Sequence, residues 1–395
     1  MKPILTKLSK IWLSKKTSNF HRSLYSKIDF KTKIIGIKGA RGSGKTTILH
    51  QYAKSSRYKP SQILYISCDS PVMAGENLFE IATEFEQYGG KLLLIDEIHK
   101  SEDFSSHIKS MYDFLDIHVI FTGSSAIILN HESADLSRRA TIHYLSPMSL
   151  REFISLKKKI KLPSYSLEDI VRNHEDISFE ILEKLKPLEH YSNYMSYGAY
   201  PFFKESIVDY PTRLLDVINI TIESDLSKIF NIDNSKQNVL KKVLGMLCST
   251  TPYEISKSKL SQDTNISWAT LSKYLTYMDK GDLISLIESP NKHKKLNRPT
   301  KMLLANPNLF YVLCANPNLG SVRESYFVSQ IQHIHKLYYH DKGDFIVDDR
   351  YIFEIGGKSK GDKQIKKQAD SFIVRDDIET GYSNIIPLWL FGFLQ

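Results

Sequence analysis

The stretch GARGSGKT, Gly39 to Thr46, carries the most specific chemistry by residue type and spacing. It fits G-x-x-x-x-G-K-S/T, with the apolar run IIGIKG before it and the helical pattern TTILHQYAK after it. Glycines at Gly39, Gly42 and Gly44 let successive backbone N–H groups, that of Ser43 among them, converge on a phosphate. The helix starting at Lys45, Thr46 and Thr47 adds a favourable dipole. Lys45 is expected to reach the β- and γ-phosphates of ATP, and the Thr46 hydroxyl to ligate Mg²⁺. The run LLLIDE, Leu92 to Glu97, supplies the second half: a buried strand ending in two carboxylates. Asp96 is expected in the Mg²⁺ shell and Glu97 as the base that polarises the attacking water. HVIFTGSS ends in small polar residues expected beside the γ-phosphate, with Ser124 as the sensor and Ser125 as second choice. In DLSRRA, Arg138 and Arg139 precede the fifth strand, where an arginine acts on a neighbouring subunit's nucleotide in a homo-oligomer.

A second group of acids lies near the C-terminus. Glu324 falls on the helical pattern VRESYFVSQI, Asp344 closes the turn DKGD, and Glu354 sits in the strand pattern YIFEI. A helix glutamate, an aspartate, and a strand glutamate followed by a lysine resemble a nuclease-like fold, in which the acids hold a second Mg²⁺ and the lysine steadies the phosphate. The spacing is irregular, because Gly356 stands two residues after Glu354 and the lysine is Lys358. On a regular strand that displaces the lysine by about 6 to 7 Å. A bulge at Gly356-Gly357 would shorten the reach or bring the backbone close to a partner surface. Gln364 follows and suits either arrangement, and the displaced lysine favours a degenerate, structural or docking role over phosphodiester cleavage.

The elements that must position these residues follow from periodicity. IIGI (34–37), ILYIS (63–67), LLLID (92–96), HVIFTG (118–123) and TIHYL (141–145) alternate with helical patterns, which predicts a parallel sheet covered on both faces. Residues 34–150 therefore read as an α/β core, and 151–235, with its KKKIK cluster, as a helical lid or linker. Residues 236–300 read as three helices and a basic hairpin-like tail, and 301–395 as alternating strands. Residues 1–33 hold nine Lys and Arg against Asp29 alone, with Ile4, Leu8, Ile11 and Trp12 at helical spacing. They predict an amphipathic helix packed beside the core, since a transit peptide favours Arg and no secretory cleavage pattern follows.

Composition sets the wider bounds. At 395 residues, 42% hydrophobic and 25% charged, the chain is that of a globular protein of more than one domain. A net charge of +9 favours an acidic partner, with nucleic acid or nucleotide first. Cys68, Cys248 and Cys314 are odd in number and widely spaced, which points to a reducing cytoplasm without disulfides or a zinc site. No apolar run reaches the roughly 18 to 20 residues of a membrane span, and the closing IIPLWLFGFL reads as a buried strand or docking tail.

Within 236–300, ISKSKLSQDTNISWATLSKYLTYMDKGDLISLI reads as helix, turn, helix and the start of a wing. Ser267 caps the last helix, while Trp268, Leu271, Leu275 and Met278 form its buried face and Thr270, Lys273, Thr276 and Lys280 stay outside. Such a helix suits a DNA major groove, with Lys292, Lys294, Lys295, Arg298 and Lys301 on phosphates.

Taken together, GARGSGKTT, LLLIDEIHK, TGSSA, DLSRRA…LSPMSLREF, YMSYGAYP and FEIGGKSK…IPLWLFGFL resemble a large bacterial and archaeal family of AAA-type ATPases. Its members join a P-loop core to a winged helix and a C-terminal nuclease-like domain of unknown function. The resemblance implies an α/β fold: a P-loop NTPase parallel sheet with helical lid, winged helix and C-terminal α/β nuclease-like domain. It also implies that the strand bearing Thr122 to Ser124 lies between the P-loop strand and the Asp96 strand, and that an arginine matches Arg139. Where the family has Gly-Arg, this chain has Arg138-Arg139, so the finger stays open between the two. The implied activity is Mg²⁺-dependent ATP hydrolysis coupled to movement of the winged helix and nuclease-like module. The alternatives are an ATP-regulated DNA-binding switch and an ATP-driven nuclease acting through Asp344, Glu354 and Lys358.

Overall fold

The structure is a computed structural model that describes residues 2–123, 136, 138–227, 232–249, 256–290, 301–361, 364–365 and 368–394. The chain divides into two compact units, Met1–Ser146 and Pro147–Gln395.

The first unit contains α1 (Pro3–Ser14), β1 (Ile34–Lys38), α2 (Lys45–Ser55), β2 (Ile63–Ser67), α3 (Leu78–Gln87), β3 (Leu92–Asp96), α4 (Phe104–Phe114), β4 (His118–Gly123) and β5 (Thr141–Tyr144). The strands are all parallel in the order β2-β3-β4-β1-β5, so the strand ending in Thr122 and Gly123 does lie between the P-loop strand and the Asp96 strand. The continuous apolar runs have a simple cause, because both sheet faces are covered. Ile34, Leu64, Ile66, Leu93, Ile95, Val119 and Phe121 bury one face with α3 and α4. Ile35, Ile37, Leu92, Leu94 and Ile120 bury the other with Ile48, Leu49 and Ala53 of α2. Each such side chain contributes about 1.5–3 kcal/mol on burial, enough to hold the strand ends in register. Asn77 starts α3 by accepting the N–H groups of Phe79 and Glu80.

Helix α1 packs on the unit, but not on the expected face. Ile4, Leu8 and Ile11 are exposed, while Leu5 and Ser9 are buried and Trp12 is half-buried. The stripe 5, 9, 12 is equally periodic, and Ser9 decides the choice: its Oγ accepts the N–H of Tyr65 on edge strand β2 at 2.9 Å. Trp12 then stacks on the Tyr65 ring, with centroids 3.7 Å apart and planes 3° from parallel.

The second unit begins with α5 (Leu150–Lys158), α6 (Leu167–Leu182), α7 (Pro187–Tyr197) and α8 (Tyr210–Ile220), the last continuing into a π-helical turn, Thr221–Leu226. Ser149 with Glu152, and Ser166 with Asp169, form capping boxes that start α5 and α6. Then come α9 (Asn234–Ser249), α10 (Lys257–Thr264), α11 (Trp268–Lys280) and the antiparallel pair β6 (Ile284–Ile287) and β7 (Lys301–Leu304). Ser267 caps α11 through the Thr270 N–H at 3.4 Å. Leu271, Tyr274, Leu275 and Met278 are its buried residues, with Trp268 at the margin.

After α12 (Pro307–Leu313) and α13 (Leu319–Ile331), the second sheet forms from β8 (Leu337–Tyr339), β9 (Phe345–Val347), β10 (Tyr351–Gly356), β11 (Ser371–Arg375) and β12 (Ile385–Pro387). Its order is β12-β11-β10-β9-β8, antiparallel from β8 to β10 and parallel from β10 to β12. The C-terminal run is buried as expected, but only Ile385–Pro387 is strand, and Leu388–Phe393 winds into a 3-10 helix; no helix among the described residues is long and apolar enough to cross a membrane.

One expectation fails outright. Cys248, near the end of α9, is disulfide-bonded to Cys314, just after α12, with Cα atoms 5.3 Å apart. Their 66-residue separation hides a pairing that only helix packing creates, so the cysteines do not argue for a reducing compartment. Cys68 is the free cysteine.

Candidate nucleotide site

The loop from Gly39 to Gly44 turns sharply enough that Gly42 and Gly44 adopt φ of 80° and 102°, a region that favours glycine. At Gly39 any Cβ would overlap the Leu145 carbonyl oxygen. Lys45, buried at the start of α2, donates from Nζ to the carbonyl oxygens of Gly39 and Ala40, each at 2.9 Å. Its ammonium thus closes the loop around itself. Ser43 Oγ is buried with no hydrogen-bond partner among the described residues, which suits a loop that receives an anion. Thr46 and Thr47 face outward at the helix start.

Asp96 ends β3 beside this loop. Its Oδ2 accepts the Thr46 hydroxyl at 2.8 Å and the Tyr65 phenol at 3.1 Å, and its Oδ1 accepts the Thr122 hydroxyl. Burial pushes the Asp96 carboxyl above the usual carboxylate range. The Thr122 and Thr46 hydroxyls and Lys45 oppose that rise, while neighbouring Glu97 reinforces it. The pair Thr46 and Asp96 therefore offers a hydroxyl and a carboxylate oxygen to one hard cation, the donor set that Mg²⁺ prefers.

Glu97 follows in a left-handed conformation, φ 53°, with its N–H donated to Thr122 Oγ1 at 3.2 Å. A non-glycine residue there is a strained position of the kind found at working sites. Its Oε2 lies 3.8 Å from Arg41 Nη2 of the phosphate loop and 3.4 Å from His99 Nε2. Arg22 braces the loop from the N-terminal segment, donating from Nη1 to the Ser43 carbonyl at 2.6 Å and from Nη2 to that of Ser146 at 2.7 Å.

Tyr65, Thr122, Arg22, Arg41 and His99 were not singled out from sequence as site residues. Strand register was the available signal for one of them. Phe121 pairs with Ile95, which sets Thr122 level with the Asp96 carboxylate, whereas Tyr65 pairs with Leu94, two residues short of it, and reaches Asp96 through its own phenol.

The expected sensors Ser124 and Ser125 lie outside the described residues, as do Lys292, Lys294, Lys295 and Arg298 of the basic tail. Arg139 makes a two-pronged ion pair with Asp113, Nε to Oδ1 and Nη2 to Oδ2, each at 3.0 Å, while Arg138 is exposed. Lys301 is not a surface phosphate contact. Its side chain is 1% exposed, and its Nζ lies 2.7 Å from Glu324 Oε2 and 3.3 Å from Asp344 Oδ1.

Two of the three acids expected of the C-terminal domain, Glu324 and Asp344, do come together, but around that ammonium, and no group of three or more acids, histidines or cysteines among the described residues is placed to hold a metal ion. Lys358 is exposed and away from Glu354, whose carboxylate pairs with Lys360 instead. Burial raises both Glu324 and Glu354 above the usual carboxylate range.

The family models locate two matches in the chain. The family model of an AAA domain matches residues 31–154, and that of a domain of unknown function, DUF8612, matches residues 188–318. Uncharacterized protein MJ1637 of Methanocaldococcus jannaschii is 26% identical over 403 residues, covering 92% of this chain and 85% of that protein. Among solved structures, a signal transduction ATPase with numerous domains and a tetratricopeptide repeat sensor from Pyrococcus horikoshii aligns with a TM-score of 0.33 at 16% identity. That alignment covers 81% of this chain and 46% of that one, so the chain spans less than half of its length. The Aeropyrum pernix ORC1 protein, solved in complex with DNA, aligns with a TM-score of 0.33 at 9% identity over 82% of this chain and 90% of that one. With the AAA match lying on the parallel sheet, the phosphate loop and the Asp96 strand, the first unit is an AAA-type P-loop domain.

Proposed function

We propose that this protein binds ATP with Mg²⁺ and hydrolyses it, and that the nucleotide cycle moves the second unit. In that unit, α9 to β7 is read as a winged helix and β8 to β12 as a nuclease-like sheet. The observation that carries the reading is the contact of the Thr46 hydroxyl with Asp96 Oδ2 at 2.8 Å, directly above a loop whose lysine is buried and turned inward. Bound Mg²⁺ would draw charge from the phosphates and be held by Thr46 and Asp96. Lys45 would exchange its two carbonyl partners for phosphate oxygens, a stronger charge-assisted contact. Glu97 would orient the attacking water and accept its proton, its backbone held in place by the Thr122 hydroxyl. Release of Glu97 from Arg41 and His99 would accompany that step, because Arg41 belongs to the loop that closes on the phosphates.

An arginine acting across a subunit interface is read onto Arg138 or Arg139, and Arg139 would first have to leave Asp113. The test is nucleotide affinity in a Lys45→Ala chain. Loss of one charged contact, about 1.5–3 kcal/mol, predicts binding weaker by about 10- to 150-fold. Unchanged affinity would remove the assignment.

A further inference from the structure

The acid cluster of the second unit contains a cation of its own. Lys301 stands at the first position of β7, and its Nζ meets Glu324 of α13 at 2.7 Å and Asp344, just before β9, at 3.3 Å. The first distance is that of a close ammonium–carboxylate ion pair; a magnesium–oxygen bond would be near 2.1 Å.

The other side of the ammonium settles which cation suits the place. The Phe345 ring centroid lies 4.5 Å from Nζ and that of Tyr339 lies 6.0 Å away. Aromatic faces attract an ammonium through the ring quadrupole, whereas they supply no oxygen to a six-coordinate metal shell.

The other oxygen of Asp344 and both oxygens of Glu354 are engaged as well. Asp344 Oδ2 accepts the Ile355 N–H at 2.7 Å, and Glu354 Oε1 pairs with Lys360. Gln364, with its amide oriented so that nitrogen faces the acid, donates to Glu354 Oε2 at 2.7 Å. Gly356 explains how Lys360 arrives there. A Cβ on Gly356 would sit 2.5 Å from Lys360 Cγ, so the missing side chain is the space through which the lysine stem folds back over β10.

We propose that Lys301 is the resident cation of this cluster: its ammonium takes the place of a divalent metal between Glu324 and Asp344 and pins the β6–β7 pair to the second sheet. The nuclease-like sheet is then a metal-independent joint, not a phosphodiesterase. Its position suits that task, because Lys301 pairs by backbone with Ile287, and the residue after Ile287, Glu288, accepts the Tyr339 N–H through its carbonyl at 2.8 Å. Hydrogen bonds and the buried ion pair thus join the same two elements.

The test uses the full chain carrying Asp96→Asn, which removes the carboxylate assigned to metal at the nucleotide site, and terbium ion as the probe. Tyr339 is close enough to sensitise a lanthanide at the ammonium position. With Lys301 intact, tyrosine-excited terbium emission should not change when Glu324→Gln is added. With Lys301→Ala, emission should rise severalfold, and Glu324→Gln should abolish the rise. Emission from the Lys301-intact chain that disappears with Glu324→Gln would overturn the proposal, as would a folded Lys301→Ala chain that gains no emission. If Lys301→Ala does not fold, the comparison with Lys301 intact decides alone. The proposal is independent of ATP hydrolysis in the first unit, so either can fail without the other.

Discussion

Replacing Tyr65 with phenylalanine isolates one hydroxyl at the nucleotide site. The ring remains, with its stack on Trp12 at 3.7 Å, and the backbone N–H still reaches Ser9, so packing and strand position are kept. What goes is the phenol at 3.1 Å from Asp96 Oδ2, one of three hydroxyls on that carboxylate. A hydrogen bond to a charged acceptor contributes about 1.5–3 kcal/mol. Asp96 is already held above its ordinary range by burial, and losing a donor raises it further. Outer partners of metal ligands typically set 10- to 100-fold in metal affinity, and that range agrees with the hydrogen-bond figure. Tyr65→Phe should therefore raise the Mg²⁺ concentration for half-maximal ATP hydrolysis by about 10- to 100-fold. Metal-free nucleotide affinity should stay the same. The assay is a Mg²⁺ titration of phosphate release at saturating ATP. A half-saturation point within twofold of the native one would refute the role of the phenol, and a parallel loss of metal-free binding would show that the substitution acts through the fold.

Two further predictions concern stability. His118 is buried at the start of β4, and burial, helped by the Arg57 charge, holds its pKa down at about 4 against 6.5. The unfolded chain takes up the proton first, so stability is full above pH 6.5 and falls as pH drops toward 4, by at most about 3 kcal/mol. Denaturant melts across that window should show the slope, and His118→Leu should flatten it; an unchanged slope would assign it to other groups. Reducing the Cys248–Cys314 bond reopens a 66-residue loop, worth about 4 kcal/mol in chain entropy. Denaturation of the full chain with a thiol reductant should show that loss, and a Cys248→Ser, Cys314→Ser chain should no longer respond to reductant. An equal response from the double variant would place the effect elsewhere.

The parallel sheet was legible in sequence because its inner strands β1, β3 and β4 are buried on both faces, and five runs of strand length between helical patterns have few other readings. The phosphate loop was legible because its spacing is local. Tertiary decisions were not. Helix α1 offers two apolar stripes, and only the unsatisfied N–H of Tyr65, which Ser9 accepts, selects between them. The lysine beside Glu354 was sought at Lys358 on strand spacing, but the glycine at 356 lets Lys360 fold back over the strand instead. Lys301 looked like the end of a basic tail, and its burial between two acids far ahead in the chain appears only once β7 is placed. Cys248 and Cys314 are the same kind of case.

Hydrolysis itself is tested most directly at Glu97. Phosphate release from Mg²⁺-ATP should be measured for the native chain and for Glu97→Gln, with nucleotide binding followed in both. A water-positioning base contributes about 10²- to 10⁴-fold, so the variant should bind ATP as the native chain does and turn it over slower by that factor. Native-rate hydrolysis by Glu97→Gln would contradict the assignment of the catalytic site.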